Sequence, residues 1–219
     1  MRAAKTMPIW QPKKQTDRQP VRLPNILASE RGLGWSVGLG GLFLVGYIGG
    51  ILLCREQAPD FGSVLAQYYM DKQNYLSLAA GFGAEFSALF LQAGIILLCG
   101  SNALGGGLLA VFFAAKGTLL GICAASVFLN WEARGLIVYW LLTSLPNTAA
   151  LILLLWLARD AANLSGSLFY AMFNGAGTRG APERRLRALL LRYLLTLAIG
   201  AVCMALSAAA SGLFASVLL

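Results

Sequence analysis

The stretch FFAAKGTLLG, residues Phe112–Gly121, places one charged side chain, Lys116, inside an otherwise apolar run. A lysine at the centre of a membrane-spanning helix costs about 2.5–3.5 kcal/mol on insertion scales. Such residues face the interior of a helix bundle and pair with polar groups there, because lipid offers them no partner. The stretch therefore predicts a helix of a membrane bundle with buried polar neighbours.

Apolar windows of membrane-spanning length surround this stretch. The chain has 219 residues, of which 58% are hydrophobic and 12% are charged, whereas soluble domains contain about 25% charged residues. A helix needs about 20 apolar residues to cross a bilayer. The windows of this length are Gly34–Leu53, Leu76–Cys99, Ala103–Leu129, Gly135–Leu157 and about Leu189 to the C-terminus. We predict an all-α, polytopic integral membrane helix bundle of about five transmembrane helices, with residues 34–219 as a single transmembrane domain.

The basic residues are distributed unevenly over the two sides of such a bundle. Residues 1–33 contain seven Lys or Arg and four prolines, and we expect them to form a disordered cytoplasmic tail that can also touch anionic membrane lipid. Six further basic residues fall on the same side, namely Arg159, Arg179, Arg184, Arg185, Arg187 and Arg192. The other side carries only Arg55, Lys72 and Arg134. Because short loops rich in Lys and Arg stay in the cytoplasm, this asymmetry predicts a cytoplasmic N-terminus and an outside C-terminus.

The composition offers little for catalysis. The chain has no histidine, which excludes histidine-based triads and histidine metal sites. Its four cysteines lie singly in or beside apolar windows, as is typical of buried small side chains, and they are Cys54, Cys99, Cys123 and Cys203. We predict no enzyme activity, no cofactor, no metal site and no nucleic-acid partner. An intramembrane enzyme that uses Glu85 and Asp160 as acids is the weaker alternative.

A cluster of polar residues is predicted near the middle of the membrane. At 1.5 Å per residue, Lys116 lies about 16 Å from the start of its helix and Glu85 about 13 Å from the start of its own. Opposite charges at similar depth favour an ion pair. Pro146 frees a carbonyl near residue 142, where a lysine or an amide could bond. The expected cluster contains Glu85, Gln92, Lys116, Thr118 and Asn147. It is either a polar pin that fixes helix register or a proton or substrate site, and the first reading is favoured.

Glycines and other small residues recur three or four positions apart in three of the windows. They are Gly38, Gly41, Gly46, Gly49, Gly50, Gly83, Ser87, Gly117 and Gly121. Such spacing allows two helix backbones in lipid to approach closely. The pattern leaves two alternatives open, which are packing within the bundle and docking of another membrane protein.

The segments FFAAKGTLLGICAASVF, residues 112–128, and LLTSLPNTAALILLLWLA, residues 141–158, resemble the stage II sporulation protein M family. In that family a Lys-Gly step in a glycine-rich helix precedes a Pro-Asn or Pro-Gln-Asn step in the next helix. The matching residues here are Lys116, Gly117, Gly121, Pro146 and Asn147. The resemblance covers about Gly34 to Ser167. Glu85 falls on no family motif, and the tail Met1–Arg31 is longer than the family leads us to expect.

This resemblance implies a multi-pass protein of the cell membrane in an endospore-forming bacterium. It implies a non-catalytic scaffold that localises membrane-anchored, peptidoglycan-degrading sporulation proteins at the septal or engulfing membrane. The outer segment Arg55–Tyr75 is the candidate partner surface through Tyr68, Tyr69 and Tyr75, although tyrosines near an interface also serve as membrane anchors. The alternative function is the membrane subunit of a small transporter or permease that works with a transport ATPase. A homo-oligomer is left open.

Overall fold

The computed structural model describes residues 30–54, 60–71, 77–174 and 182–218. These ranges contain helices and no strand, which confirms the predicted all-α class. The helices are α1 (Glu30–Leu53), α2 (Asp60–Met70), α3 (Leu78–Gly100), α4 (Gly105–Asn174) and α5 (Pro182–Leu218). The predicted basic tail lies almost wholly outside the described residues, as does Arg179 of the predicted basic loop.

Helix α4 is a hairpin of two arms. Glu132 has a left-handed backbone (φ 57°, ψ −159°), which is uncommon for a residue with a side chain and interrupts the helical path. It separates arm α4a, residues 105–131, from arm α4b, residues 133–174. The arms run antiparallel, because the Gly106 amide donates to Ser165 Oγ at 3.0 Å while Cys123 packs near Tyr139 at the other end. Arm α4b continues well past the predicted end at Leu157, so the region after it is helical through Asn174.

Five stretches of the described chain are long and apolar enough to cross a membrane. They are Gly34–Leu53, Leu78–Gly100, Gly105–Thr143, Pro146–Phe173 and Arg185–Ala215. The third has 39 residues, and as one straight helix it would measure about 58 Å, nearly twice the hydrocarbon thickness of a bilayer. The break at Glu132 turns the chain back, so that arm α4a ends at residue 131 and residues 133–143 of this stretch belong to arm α4b. The number of helices agrees with the predicted bundle, and the side on which each terminus lies stays a prediction.

The α4 hairpin is the centre of the bundle. It contacts all four other helices, and α3 and α5 also contact each other. The main core joins side chains from α1, α3, both arms of α4 and α5. Its largest buried members include Leu39, Leu89, Ile96, Phe113, Leu154, Leu157 and Met204. Three of the four cysteines, Cys54, Cys99 and Cys123, are buried as predicted, and Cys203 is half-buried.

The two ends of the bundle differ in charge and packing. We call one the basic end, because Arg185 and Arg187 begin α5 there, close to the turn between α3 and α4. At this end Ser165 Oγ accepts from the Gly106 amide and donates to the Ala103 carbonyl at 3.2 Å. Trp35 of α1 lies against Gly106, so α1 begins at the basic end as well. The opposite end, with α2 and Glu132, is called the far end below.

Helix α2 packs on the α4 hairpin at the far end. Its Ala66 is fully buried in a small second core with Cys123, Ala124, Val127 and Tyr139. The sequence predicts this segment as an external surface and not as a helix. The signal was present in the spacing of Phe61, Val64, Leu65 and Tyr68, which is typical of one apolar helix face.

Candidate functional site: a polar cavity beside a glycine crossing

Four glycines bring α1 and α4a into backbone contact. A Cβ atom added to Gly46 or Gly50 would come closer than 3.0 Å to a carbonyl of α4a, at Ala114 and Thr118 respectively. In return, a Cβ on Gly117 or Gly121 would come equally close to the Phe43 or Tyr47 carbonyl of α1. Real Cβ contacts essentially never lie below 3.0 Å, so only glycine fits at these positions. We call Gly46, Gly50, Gly117 and Gly121 the glycine crossing.

The glycine crossing assigns part of the small-residue pattern to packing within the chain. Both motif glycines, Gly117 and Gly121, belong to it. Other members of the pattern behave differently, because a Cβ would meet nothing within 4 Å at Gly38, Gly41, Gly49 and Gly83. Close helix approach therefore explains four of the glycines and leaves these four without a packing role inside the described chain.

A cavity of about 290 Å³ lies between α3, both arms of α4 and α5. It extends from near the middle of the bundle to the far end, where the exposed side chains of Tyr68 and Ser77 line it. The polar residues of its wall are Tyr68, Ser77, Glu85, Gln92, Lys116, Thr143, Asn147 and Ser211. We call this space the polar cavity.

Lys116 enters the polar cavity from α4a. Its Nζ donates to Gln92 Oε1 of α3 at 2.5 Å. Consecutive helical residues are turned by about 100°, which is why Lys116 faces α3 while the next residue, Gly117, faces α1. The sequence predicted Gln92 as a member of the cluster and did not identify it as the partner of the lysine.

Glu85 faces the same cavity but does not pair directly with Lys116. No ion pair with nitrogen and oxygen closer than 4.0 Å joins Glu85 to Lys116, whereas Arg192 and Asp160 form such a pair at the basic end. Glu85 precedes Gln92 by two helical turns, about 10.5 Å along α3, so the lysine that reaches Gln92 ends short of Glu85. The predicted direct pair is therefore not formed, although both charges line one cavity.

The Glu85 carboxylate is left with an unused acceptor. Its Oε2 is buried and has no hydrogen-bond partner in the described part of the chain. The Ser207 hydroxyl of α5 faces this carboxylate, but the two groups do not meet in a hydrogen bond of ordinary geometry, and Ser207 Oγ is likewise buried without a partner. A buried carboxylate without donors is costly in any protein interior. Oε2 of Glu85 therefore lacks a hydrogen-bond donor at this point of the cavity.

Pro146 frees a backbone acceptor, as predicted, but the donor is a different residue. Proline has no amide hydrogen, so the Leu142 carbonyl four residues earlier lacks its helical partner. Ser211 Oγ of α5 donates to this carbonyl at 2.9 Å. The predicted donor was a lysine or an amide, and the structure supplies a hydroxyl from another helix. Asn147 lies beside the proline and lines the polar cavity.

Two other predicted members lie away from this arrangement. Thr118 is not part of the cavity wall, since its hydroxyl donates to the Ala114 carbonyl at 3.0 Å within its own helix. The three candidate tyrosines do not share one position. Tyr68 is half-exposed on α2 and lines the cavity, and Tyr69 also belongs to α2. Tyr75 lies outside the described residues.

The two acids of the alternative enzyme reading also lie apart. Asp160 lines a smaller cavity of about 190 Å³ at the basic end, together with Arg185 and Arg192. Glu85 lines the polar cavity instead. The two carboxylates therefore do not share a site.

Several residues of the site were missed by sequence reasoning. Ser77, Thr143, Met204 and Ser211 line the polar cavity. Ser211 is the one for which a signal existed, because a serine inside an apolar helix needs an acceptor and the proline-freed carbonyl offers one. Ser77 is the N-cap of α3, and Thr143 and Met204 are ordinary helix residues whose position depends on how α3, α4b and α5 are rotated against each other. Comparisons of the chain with protein-family models, with curated proteins and with solved structures found no match.

Proposed function

We propose that this chain is a non-catalytic membrane scaffold of the stage II sporulation protein M type, which localises peptidoglycan-degrading proteins at the septal or engulfing membrane. The proposal starts from the motif residues of the resemblance. It is supported by one observation, namely that all five of them lie either at the glycine crossing or in the wall of the polar cavity. Gly117 and Gly121 form the α4a side of the glycine crossing, while Lys116, Pro146 and Asn147 line the polar cavity.

The far end provides the surface that such a scaffold needs. Helix α2 rests on the α4 hairpin through Ala66 and turns Val64 and Tyr68 outward, with 64% and 48% of these residues exposed. Exposed aromatic and aliphatic side chains are typical anchors of a protein interface. We infer that α2 is the part of the outer segment that a partner contacts.

The same proposal places the basic end in the cytoplasm and the far end outside the membrane. A cysteine-accessibility or reporter-fusion map should find residue 10 and the loop of residues 177–185 inside. It should find residues 60–72 and the C-terminus outside, because an odd number of crossings separates the termini. A C-terminal reporter located in the cytoplasm would contradict both the orientation and the five crossings.

Affinity purification of the tagged full-length chain from sporulating cells tests the scaffold function. Peptidoglycan-degrading proteins should be captured with the chain, and Val64→Asp on α2 should reduce their recovery because it places a charge on the proposed contact face. The matched control is Leu186→Asp, which adds the same carboxylate at the basic end, where Leu186 is 41% exposed. Recovery of no hydrolase with the unaltered chain would overturn the scaffold, whereas equal recovery with both variants would remove α2 from the interface.

The polar cavity favours a second candidate, the membrane subunit of a small transporter. Ionisable residues such as Glu85 and Lys116 within a bundle are typical of substrate and ion pathways. The same purification separates the two functions, because a transporter subunit of this kind should be captured with an ATPase and a scaffold should be captured with hydrolases.

A further inference from the structure

We propose that the polar cavity binds a small zwitterion, with the ammonium group of the ligand on the Glu85 carboxylate and its anionic group on the Lys116 ammonium. This goes beyond the scaffold function, because a scaffold needs no ligand in its core. It rests on the cavity itself and not on the resemblance to any family. Three features of the cavity define the ligand, which are a negative pole, a positive pole and the space between them.

Glu85 forms the negative pole. A carboxylate accepts hydrogen bonds and donates none, and Oε2 of Glu85 is buried without a hydrogen-bond partner among the described residues. A ligand ammonium brings three N–H donors to one point. It can donate to the Glu85 carboxylate, whose side chain lines the cavity. A ligand with a positive group therefore supplies what this end of the cavity lacks.

Lys116 forms the positive pole. Its ammonium has three N–H donors, and the bond to Gln92 Oε1 uses one of them. That bond is to a neutral amide, and none of the described carboxylates lies within 4.0 Å of the lysine nitrogen. Asn147 lines the cavity as well and can donate through its amide. An anionic group beside Lys116 would gain a charge-assisted hydrogen bond at this end.

The distance between the poles sets the size of the ligand. Glu85 and Gln92 lie on one face of α3 about 10.5 Å apart along its axis, and their side chains have equal length. Because Lys116 Nζ lies 2.5 Å from Gln92 Oε1, the two poles are separated by roughly this axial distance, which leaves room for a small zwitterion with a hydrogen bond at each end. Ala88, between the two poles on α3, and Ala208 on α5 line the wall, and their small side chains leave this space open.

Two classes of molecule carry both an ammonium group and an anionic group. One is a free amino acid, and the other is the head group of an ethanolamine phospholipid, which joins an ammonium to a phosphate. Both place a positive and a negative charge a few ångströms apart. The experiment therefore includes both, together with ligands that carry only one of the two charges.

The test is the thermal unfolding of the purified full-length chain in a lipid-free detergent. Separate titrations use glycine, D-alanine, L-alanine and dihexanoyl phosphatidylethanolamine, with acetate and methylamine as the single-charge controls. At least one zwitterion should raise Tm in a saturable manner, and acetate and methylamine should need at least tenfold higher concentrations for the same rise. A response to amino acids identifies a free solute, and a response to the phospholipid alone identifies a head group.

Three variants test whether the rise in Tm depends on the polar cavity. Glu85→Gln keeps the shape of the side chain and removes its charge, so it should weaken zwitterion binding at least tenfold. Ala88→Leu fills the space between the poles and should abolish the Tm response while the chain remains folded. Glu132→Gln removes a carboxylate at the exposed far end and should leave binding unchanged. The proposal is overturned if no zwitterion shifts Tm, if the single-charge ligands act equally well, or if Glu85→Gln and Ala88→Leu bind as tightly as Glu132→Gln.

Discussion

Lys116 and Gly117 are neighbours in the sequence, yet they belong to two regions of the bundle with opposite requirements. Gly117 touches the backbone of α1 in the glycine crossing, where there is no room for a single added carbon. Lys116 points into the polar cavity between α3, α4b and α5, where about 290 Å³ is not filled by protein. One helix arm therefore combines a backbone contact that excludes a Cβ atom with part of the wall of the polar cavity.

The difference follows from what holds helices together in lipid. Lipid tails are as apolar as leucine, so helix association depends on close packing and on hydrogen bonds between helices. The glycine crossing uses the first of these, and it leaves no tolerance for added volume. The cavity uses the second through a few bonds, such as Lys116 to Gln92 and Ser211 to Leu142. Substitutions in the two regions should differ accordingly in size and in the way they can be rescued.

The largest effect is expected at the glycine crossing. Gly46→Ala or Gly117→Ala places a Cβ closer than 3.0 Å to a backbone carbonyl, which cannot move aside as a flexible side chain could. The helices must separate, and the cost should reach about 3 kcal/mol, the upper range for overpacking. The measurement is the unfolding free energy of the purified chain in detergent.

Gly49→Ala is the matched control on the same helix. A Cβ at Gly49 meets nothing within 4 Å, and alanine favours a helix over glycine by up to about 1 kcal/mol. This variant should be neutral or slightly stabilising. Equal destabilisation by Gly46→Ala and Gly49→Ala would show that helix propensity, and not the close approach of α1 to α4a, governs this region.

A smaller effect is expected from breaking the bond between Lys116 and Gln92. Lys116→Met leaves Gln92 Oε1 without its donor, and the cost should be about 1–2 kcal/mol. Adding Gln92→Leu should recover most of that loss, since two apolar side chains leave nothing unpaired. The unfolding free energies of the two single variants and the double variant give the coupling energy.

Ser165→Ala provides the reference for this coupling. Ser165 bonds Gly106 and Ala103 at the basic end, so its effect should add to that of Lys116→Met within about 0.5 kcal/mol. Additive behaviour of Lys116 and Gln92 as well would mean that their contact contributes nothing to stability. If Lys116→Met is present at normal abundance in cells but engulfment fails, the lysine serves a ligand or a partner and is not chiefly a structural pin.

The smallest effect is expected at the bond between Ser211 and Leu142. Ser211→Ala should cost about 0.6 kcal/mol, the average for a hydrogen bond between membrane helices. In a Pro146→Ala background the cost should fall towards zero, because residue 146 then has an amide hydrogen for the Leu142 carbonyl. The same cost in both backgrounds would contradict the role of Ser211 as a replacement donor. Unfolding free energies of the four chains decide this.

The sequence by itself determined the features that depend on one segment at a time. The apolar windows predicted five helices of membrane-spanning length, and the structure contains them. The absent amide of Pro146 predicted a free carbonyl near residue 142, and Leu142 does bond outside its own helix. The spacing of Gly117 and Gly121 predicted a face for close helix approach, which is the face that meets α1. Hydropathy, a missing donor and helical spacing are local properties, so they can be predicted without knowing the fold.

Only the tertiary structure decided which groups meet. Glu85 and Lys116 have opposite charges at similar predicted depths. Glu85 lies two helical turns from Gln92 along α3, however, and the lysine bonds to Gln92 instead. The Leu142 carbonyl freed by Pro146 accepts a hydrogen bond from the hydroxyl of Ser211, 69 residues away. Helix α2 packs on the far end through Ala66. These partners depend on the rotation and axial shift of whole helices against one another. Those quantities come from packing summed over every interface of the bundle, which no single segment of the chain contains.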